Sequence, residues 1–275
     1  MIMRSEKAEK TRIRATEHTF VVCAYGTCKY LENCIISLMN QTVCSKVIIA
    51  TSTPNQSIHS ISEKYNLPVF INEGEIGITQ DWNFGLSKVE TRYATIAHQD
   101  DEYETNYTET LLRHMNSQRK PIIGFSDYFE IHGDEKRKDS KLIKVKRILL
   151  FPLKIKAFQK SRFIRRRSLS FGCGICCPSV MYCMENVEQP IFNNKYTCCE
   201  DWEAWEKLSR LKGSFVYVPK PLMSHRIHKE SVTTKTVNST GRKKEDYDMY
   251  RKFWPAWIAK ILIGRYSRAE EYNKS

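Results

Sequence analysis

The sequence has no apolar run approaching the ~20 residues that a membrane-spanning helix requires, so it reads as a chain that does not cross a bilayer. Its opening seventeen residues, MIMRSEKAEKTRIRATE, lack the apolar core of a secretory signal. The chain is therefore expected in the cytoplasm, with its ten cysteines reduced and mostly buried. Glycine (11) and proline (9) are scarce among 275 residues, which leaves no flexible linker and excludes a collagen-like chain. No glycine-rich loop follows the first apolar run, FVVCAY (Phe20 to Tyr25). That absence argues against a dinucleotide-binding Rossmann domain and a P-loop nucleotide triphosphatase.

What is present is a globular balance, 41% hydrophobic and 27% charged residues, long enough to bury a core without a disulfide or metal staple. The net charge of +13 is localised. Residues Lys136 to Ser168 hold fourteen Lys and Arg against Asp139 alone, and the remainder carries thirty of each sign. A nucleic-acid-binding chain spreads its charge as a stripe over one face. Here the cations are interleaved with Leu142, Ile143, Val145, Ile148, Phe151 and Phe163. Cations with embedded aliphatics suit an anionic membrane surface better than DNA. Neither half of the segment gives a clean helical face, and Leu153, Ile155 and Ala157 alternate. Arg165, Arg166 and Arg167 read as part of the docking surface. The plainer reading is a solvated loop whose aliphatics rest on the body.

Phe20–Tyr25, Lys46–Thr51, Pro68–Ile71, Tyr93–Ala97 and Ile122–Ile131 are short apolar runs that predict strands. Between them Leu31, Cys34, Ile35, Leu38 and Met39 recur at helical spacing, and helices are predicted over 78–88 and 107–115. Alternating strands and helices predict an α/β fold with a mostly parallel central sheet flanked by helices. Ligands in such sheets bind beyond the carboxyl ends of the strands, which puts Tyr25 and Asp100-Asp101 at one rim. After the basic segment come a strand ending near Tyr182, a helix opening at Glu200-Asp201 and capped by Gly213, a strand over 214–222, and one final helix from about Arg242 to Leu262.

Several of these residues carry chemistry. Adjacent Asp100 and Asp101 repel each other where a buried strand meets solvent; a hard divalent cation, Mg²⁺ or Mn²⁺, relieves that repulsion and in turn holds a diphosphate. Capping of the next helix, with Glu102 adding to its dipole, explains the same pair without a metal. Glu200-Asp201 offers a general base, or simply acid enrichment at a helix start. His225, Arg226 and His228 follow a predicted strand and could neutralise a leaving diphosphate, or form a surface turn. Cys173-x-x-Cys176 has zinc-ligand spacing, but its partners Cys198 and Cys199 are adjacent, and Cys177-Pro178 reads as strand core.

From Phe20 to about Leu262 the chain resembles the family 2 glycosyltransferases of bacterial surface-polysaccharide synthesis. VVCAYGTCKYLENCIISLMNQT resembles their opening strand and helix, and ITQDWNFGLSKVETRYATIAHQDDEY their Asn-x-Gly-Leu helix and acidic metal motif. CCEDWEAWEKLSRLKGSFVYV resembles their Glu-Asp helix, and SHRIHKESVT their Arg-x-His element. The resemblance implies a GT-A fold and transfer of a sugar from a nucleotide-sugar, a UDP-sugar foremost, to a glycan or lipid-linked glycan acceptor. It implies that Tyr25, Asn83, Asp100, His225, Arg226 and His228 bind the nucleotide-sugar. It implies further that Asp101 with Asp100 takes Mg²⁺ or Mn²⁺, and that Asp201, with Glu200 beside it, is the catalytic base. Reaction with inversion at the anomeric carbon is expected. The implied organisation is a polar tail (1–17), a single domain (18–265) and a C-terminal tail (266–275). Within the domain lie a nucleotide-sugar half (18–131), a basic membrane-proximal segment (136–168) and an acceptor half (169–265).

The sequence departs from the family twice. Ala50-Thr51-Ser52 stands where an Asp usually closes the second strand and holds the nucleoside. His98 stands where the metal motif has its earlier Asp, leaving Asp101 and the phosphates as the expected metal support. Two other readings remain at this stage, a nucleotidyltransferase on a similar sheet and a non-enzymatic binder of nucleic acid or anionic surfaces. The expected location is peripheral, on the inner face of the cell membrane, without a nucleic-acid partner.

Overall fold

A computed structural model describes residues 17–228 and 240–272. The expected N-terminal tail up to residue 16, the end of the SHRIHKESVT element and the last three residues lie outside the described residues. The first half alternates as its apolar pattern predicts: β1 (His18–Cys23), α1 (Leu31–Met39), β2 (Lys46–Thr51), α2 (Gln56–Tyr65), β3 (Val69–Ile71), α3 (Ile78–Ser87) and β4 (Tyr93–His98). These four strands are parallel, in the order β3-β2-β1-β4. Their runs are apolar on both sides because helices cover both faces. Cys23 pairs in register with Ala50 and with His98, so three strands end together and present their carboxyl ends along one rim.

The Asn-x-Gly-Leu stretch has a packing reason. A Cβ on Gly85 would lie 2.4 Å from Val21 Cγ1 and 3.1 Å from the Ala50 Cβ, so α3 lies on the sheet only because that position carries no side chain. Asn83 on the same helix donates to Phe192 O (2.9 Å) and accepts from Phe192 N (3.1 Å), tying a loop 109 residues away onto α3.

The second half is mixed. After β5 (Glu102–Tyr103) and α4 (Tyr107–Asn116), β6 (Pro121–His132) pairs parallel with a strand from the far end of the chain. It also pairs antiparallel with the short β7 (Glu135–Arg137) and with β8 (Val180–Cys183), which joins it to β4. The far strand, β9 (Ser214–Ile227), is longer than the predicted run. Pro219 and Pro221 do not end it: its register against β6 shifts between Ser126 and Asp127, and the bulge absorbs the missing donors. As a result His225 and Arg226 are strand residues rather than residues after a strand.

Two further expectations need correction. The final helix is two helices, α8 (Thr240–Arg251) and α9 (Ala256–Tyr272), because Pro255 cannot continue the first. The basic segment is not a loop: it folds into α5 (Lys141–Leu150) and α6 (Arg162–Leu169), linked by short 3-10 turns. Arg165 is fully buried, donating to Ser209 O (2.7 Å), Gly213 O (2.8 Å) and Leu211 O. Arg166 is paired with buried Glu206. These two cations therefore anchor α6 to α7 (Glu200–Ser209) and its C-terminal turn, where unpaired carbonyls gather, rather than facing a membrane.

Candidate active site

The rim formed by β1, β2 and β4 is extended by the end of β9. Asp101, directly after β4, is fully buried. Its Oδ1 accepts from Arg226 N (2.9 Å) and lies 3.0 Å from His225 Nδ1. Burial alone would raise the Asp101 carboxyl, but the neighbouring His225 and His98 outweigh it and hold the pKa below the usual carboxylate range. Burial likewise opposes charge on His225, and Asp101 and Asp100 overcome it, raising its pKa.

His98, where the sequence departs from the family's acidic motif, turns its Nδ1 to 3.7 Å from Asp101 Oδ2. Its ring stacks on Trp82 of α3, centroids 5.4 Å apart at 12°. Burial lowers its pKa, which favours the neutral imidazole that ligates metals. His98, Asp101 and His225 each offer an atom within 4.8 Å of the others, and they form the metal-sized cluster found among the described residues. Two imidazoles and a carboxylate suit Mn²⁺ and other borderline divalent ions better than Mg²⁺, which prefers oxygen donors and retained water. The buried His98 Nε2 has no hydrogen-bond partner.

Asp100, expected beside Asp101 on the metal, instead has its Oδ2 2.8 Å from His228 Nε2, outside that cluster. Arg226 donates to Asp100 O (3.1 Å), pairs with Glu102 and lies over the Tyr30 ring at 4.2 Å, so its guanidinium braces the rim. Tyr25 is 60% exposed and its backbone is clasped by Gln99, which accepts from Tyr25 N (3.1 Å) and donates to Tyr25 O (3.0 Å). Gln99 was missed because an amide between a His and two Asp carries no sequence signal of its own.

At the end of β2 a carboxylate stands after all. Asp81 of α3 is buried there, accepting from Ser52 Oγ (2.7 Å) and Asn72 Nδ2 (2.8 Å). Its place within the quoted ITQDWNFGL stretch was the available signal. Asn83, three positions from Gln80, spends its amide on Phe192 beside a cleft of about 600 Å³ that Asn72, Gln80 and Lys207 also line.

In the second half, α7 begins at Glu200 and Asp201. Asp201 Oδ1 accepts from Trp202 N (2.6 Å) and Oδ2 from the Cys173 thiol (3.6 Å). Burial raises the Asp201 pKa, while Lys146, the Trp202 N–H and Cys173 pull against it. Glu200 is pushed up to about 7 by burial and by the charge of Asp201, and its Oε2 is buried without a partner. A carboxylate whose proton affinity approaches neutrality is suited to take a proton from a hydroxyl at working pH.

Comparison with known proteins bears on this geometry. Residues 19–186, more than half of the chain, match the model for glycosyl transferase family 2. An uncharacterized glycosyltransferase of Haemophilus influenzae is 24% identical over 238 residues, covering 81% of this chain and 70% of that one. Glycosyltransferase GlyA of Streptococcus pneumoniae is 25% identical over 122 residues, 42% of this chain; the match spans only 17% of GlyA. Among solved structures, S. aureus TarS 1-349 in complex with UDP-GlcNAc superposes with a TM-score of 0.63 at 13% identity, over 94% of this chain and 73% of TarS. The mannosyltransferase PcManGT of Pyrobaculum calidifontis, in complex with GDP-Man and Mn²⁺, gives 0.63 at 10% identity, over 90% and 69%. The chain belongs to glycosyl transferase family 2 and is a glycosyltransferase with the GT-A fold.

Proposed function

We propose that the protein transfers a sugar from a UDP-sugar to a hydroxyl of a glycan or lipid-linked glycan, with inversion, in the synthesis of a bacterial capsule, exopolysaccharide or other surface glycan. The observation that carries the reading is the His98–Asp101–His225 cluster at the strand rim, with the Asp201 carboxylate near enough for its charge to act on His98. The UDP-GlcNAc and GDP-Man named for the structural neighbours support a nucleotide-sugar donor. In this reading Tyr25, Asn83, Asp100, His225, Arg226 and His228 surround the donor, and Asp81 offers a carboxylate at the end of β2 for the nucleoside. Asp101 with His98 and His225 would hold a divalent cation, Mn²⁺ or Mg²⁺, which would supply positive charge to the leaving diphosphate. Asp201 accepts the proton of the acceptor hydroxyl as its oxygen bonds to the anomeric carbon and the bond to the diphosphate breaks. Attack opposite the leaving group inverts the centre with no covalent intermediate. The test is nucleoside diphosphate release from a panel of UDP-, GDP- and CDP-sugars; release from none of them, with glycan acceptors and Mn²⁺ present, contradicts the reading.

The same proposal places the enzyme on an anionic membrane. Leu142, Val145 and Ile148 form an outward stripe on α5, continued by Phe151, Ile155 and Phe163, each 44–72% exposed. Lys141, Lys144, Lys154, Lys156, Lys160 and Arg162 are exposed among them. Apolar tips with surrounding cations fit a headgroup boundary, each cation being worth about 1 kcal/mol near an anionic leaflet.

A further inference from the structure

The turn that leads into α7 is held from another helix. Its N-cap residue, Cys199, makes no side-chain capping bond, although Ser, Thr, Asp or Asn ordinarily fills that role. Instead the Glu245 carboxylate of α8, 46 positions away, lies against the turn. Its Oε2 accepts from Cys198 N (2.8 Å) and Cys199 N (3.2 Å), and its Oε1 from Thr197 N (3.0 Å) and Thr197 Oγ1 (3.0 Å). Three successive backbone N–H groups converging on one anion form a nest, and charge-assisted bonds of this kind are about twice as strong as neutral ones. Asp246, next on α8, accepts from the Cys199 thiol (3.3 Å). Packing accounts for the body of α7 without Glu245: Trp202, Trp205 and Leu208 lie in the core, and Trp202 Nε1 donates to Leu169 O (2.9 Å). The turn itself is nearer the surface, with Thr197 exposed and Cys198 half-buried. Water would satisfy amides there, so what the carboxylate adds is a fixed path for the chain over 197–199.

We propose that Glu245 is a positioning residue for Asp201: its carboxylate, seated in the amides of 197–199, holds the first turn of α7 and with it the Asp201 carboxylate. The proposal rests on the reading of Asp201 as the base. Asp201 stands two residues after Cys199, and Cys199 O accepts the helical bond from Glu203 N (2.8 Å). A shift of the Cys199 backbone therefore carries the turn with it. The Asp201 side chain cannot correct such a shift independently, because its Oδ1 is bonded to Trp202 N in the same turn (2.6 Å). A general base must lie within hydrogen-bond reach of the hydroxyl it deprotonates, and a misplacement of about 1 Å can lower the rate about 100-fold. Glu245 thus acts on the reaction through the backbone ahead of Asp201, without touching the reacting atoms.

The experiment is a double-mutant cycle on the full chain, with single-turnover and steady-state transfer measured well below the Tm of each variant, using the nucleotide-sugar that wild type turns over. Glu245→Ala is expected to lower kcat about 10–100-fold with donor KM within about twofold of wild type. Glu245→Asp, which keeps both oxygens on a shorter stem, should recover part of that loss. In the Asp201→Asn background the same Glu245→Ala change should cost less than about twofold, because a residue acting through Asp201 has nothing left to position. If Glu245→Ala does not fold, Glu245→Gln replaces it: one amide oxygen still serves Thr197, while the new N–H group faces the Cys198 and Cys199 N–H groups. Wild-type kcat in a folded Ala or Gln variant overturns the proposal, and so does an equal loss with and without Asp201, the mark of a purely structural role. Full kcat in Asp201→Asn alone removes the base reading and the proposal with it, whereas a lost kcat there beside an unchanged one in Glu245→Ala removes the proposal and leaves the base reading standing.

Discussion

His225 Nδ1 lies 3.0 Å from Asp101 Oδ1, although 124 positions separate them. The contact exists because β9 runs past its two prolines to bring His225 and Arg226 alongside the end of β4. It joins the acidic motif to the C-terminal cations. Asp101→Asn keeps an acceptor for Arg226 N–H and removes the charge. Transfer should fall at least about a hundredfold, since several kcal/mol of charge stabilisation are lost. Breaking a buried pair should also lower stability by up to about 3 kcal/mol. Steady-state rates together with a urea titration check both; full activity at saturating Mn²⁺ would remove Asp101 from the metal site.

Asp201→Asn leaves a group of the same shape that cannot take a proton. The expected loss in kcat is about 10²–10⁴-fold with donor KM nearly unchanged. Loss of donor affinity at preserved kcat would make Asp201 a binding residue instead.

Glu200 gives a pH signature. In the folded chain its carboxyl stays protonated up to about 7, whereas its ordinary value is 4.5. Between those values the folded state binds the extra proton, so this contribution to stability is present below 4.5 and is lost as pH rises through about 7. Glu200→Gln removes the penalty: its Tm should exceed that of wild type at pH 8, by the equivalent of about 2–3 kcal/mol, with the gap closing toward pH 5. A gap that does not change with pH would contradict the burial argument.

The basic segment divides into anchors and surface. Arg165→Met should destabilise the fold by about 3 kcal/mol, because three carbonyls lose a buried charged donor. Arg162→Ser, on an exposed side chain, should change stability by less than about 0.5 kcal/mol. The docking proposal is therefore tested with Ile148→Asp plus Phe163→Asp. Co-sedimentation with anionic vesicles should fall sharply in this variant and weaken with salt in wild type. Equal wild-type binding to neutral and anionic vesicles would refute an electrostatic dock.

The strands that build the rim were legible because β1, β2 and β4 are buried on both faces and read as unbroken apolar runs ending in Tyr25, Ser52 and Asp100-Asp101. The helix at Glu200 was legible from its acids and Trp spacing. Long-range geometry was not. α5 hid its helix because its inward stripe is interrupted by Lys146 and Arg147 while its outward face is aliphatic, so no single face is apolar. β9 was cut short because Pro219 and Pro221 ordinarily end a strand, and only the pairing with β6 shows how the bulge accommodates them. His98 read as a lost ligand because sequence shows what replaced an Asp and not which way the imidazole turns. Pro255, by contrast, was a visible break between α8 and α9 that the apolar pattern overran.

The central claim is that the rim holds a nucleoside diphosphate through a metal on Asp101, and calorimetric titration of UDP with and without Mn²⁺ tests it most directly. Wild type should bind UDP at least about tenfold more tightly with Mn²⁺, a difference of about 1.4 kcal/mol, and Asp101→Asn should abolish that difference. No binding of UDP under either condition, or Mn²⁺-enhanced binding that survives in Asp101→Asn, would contradict the account.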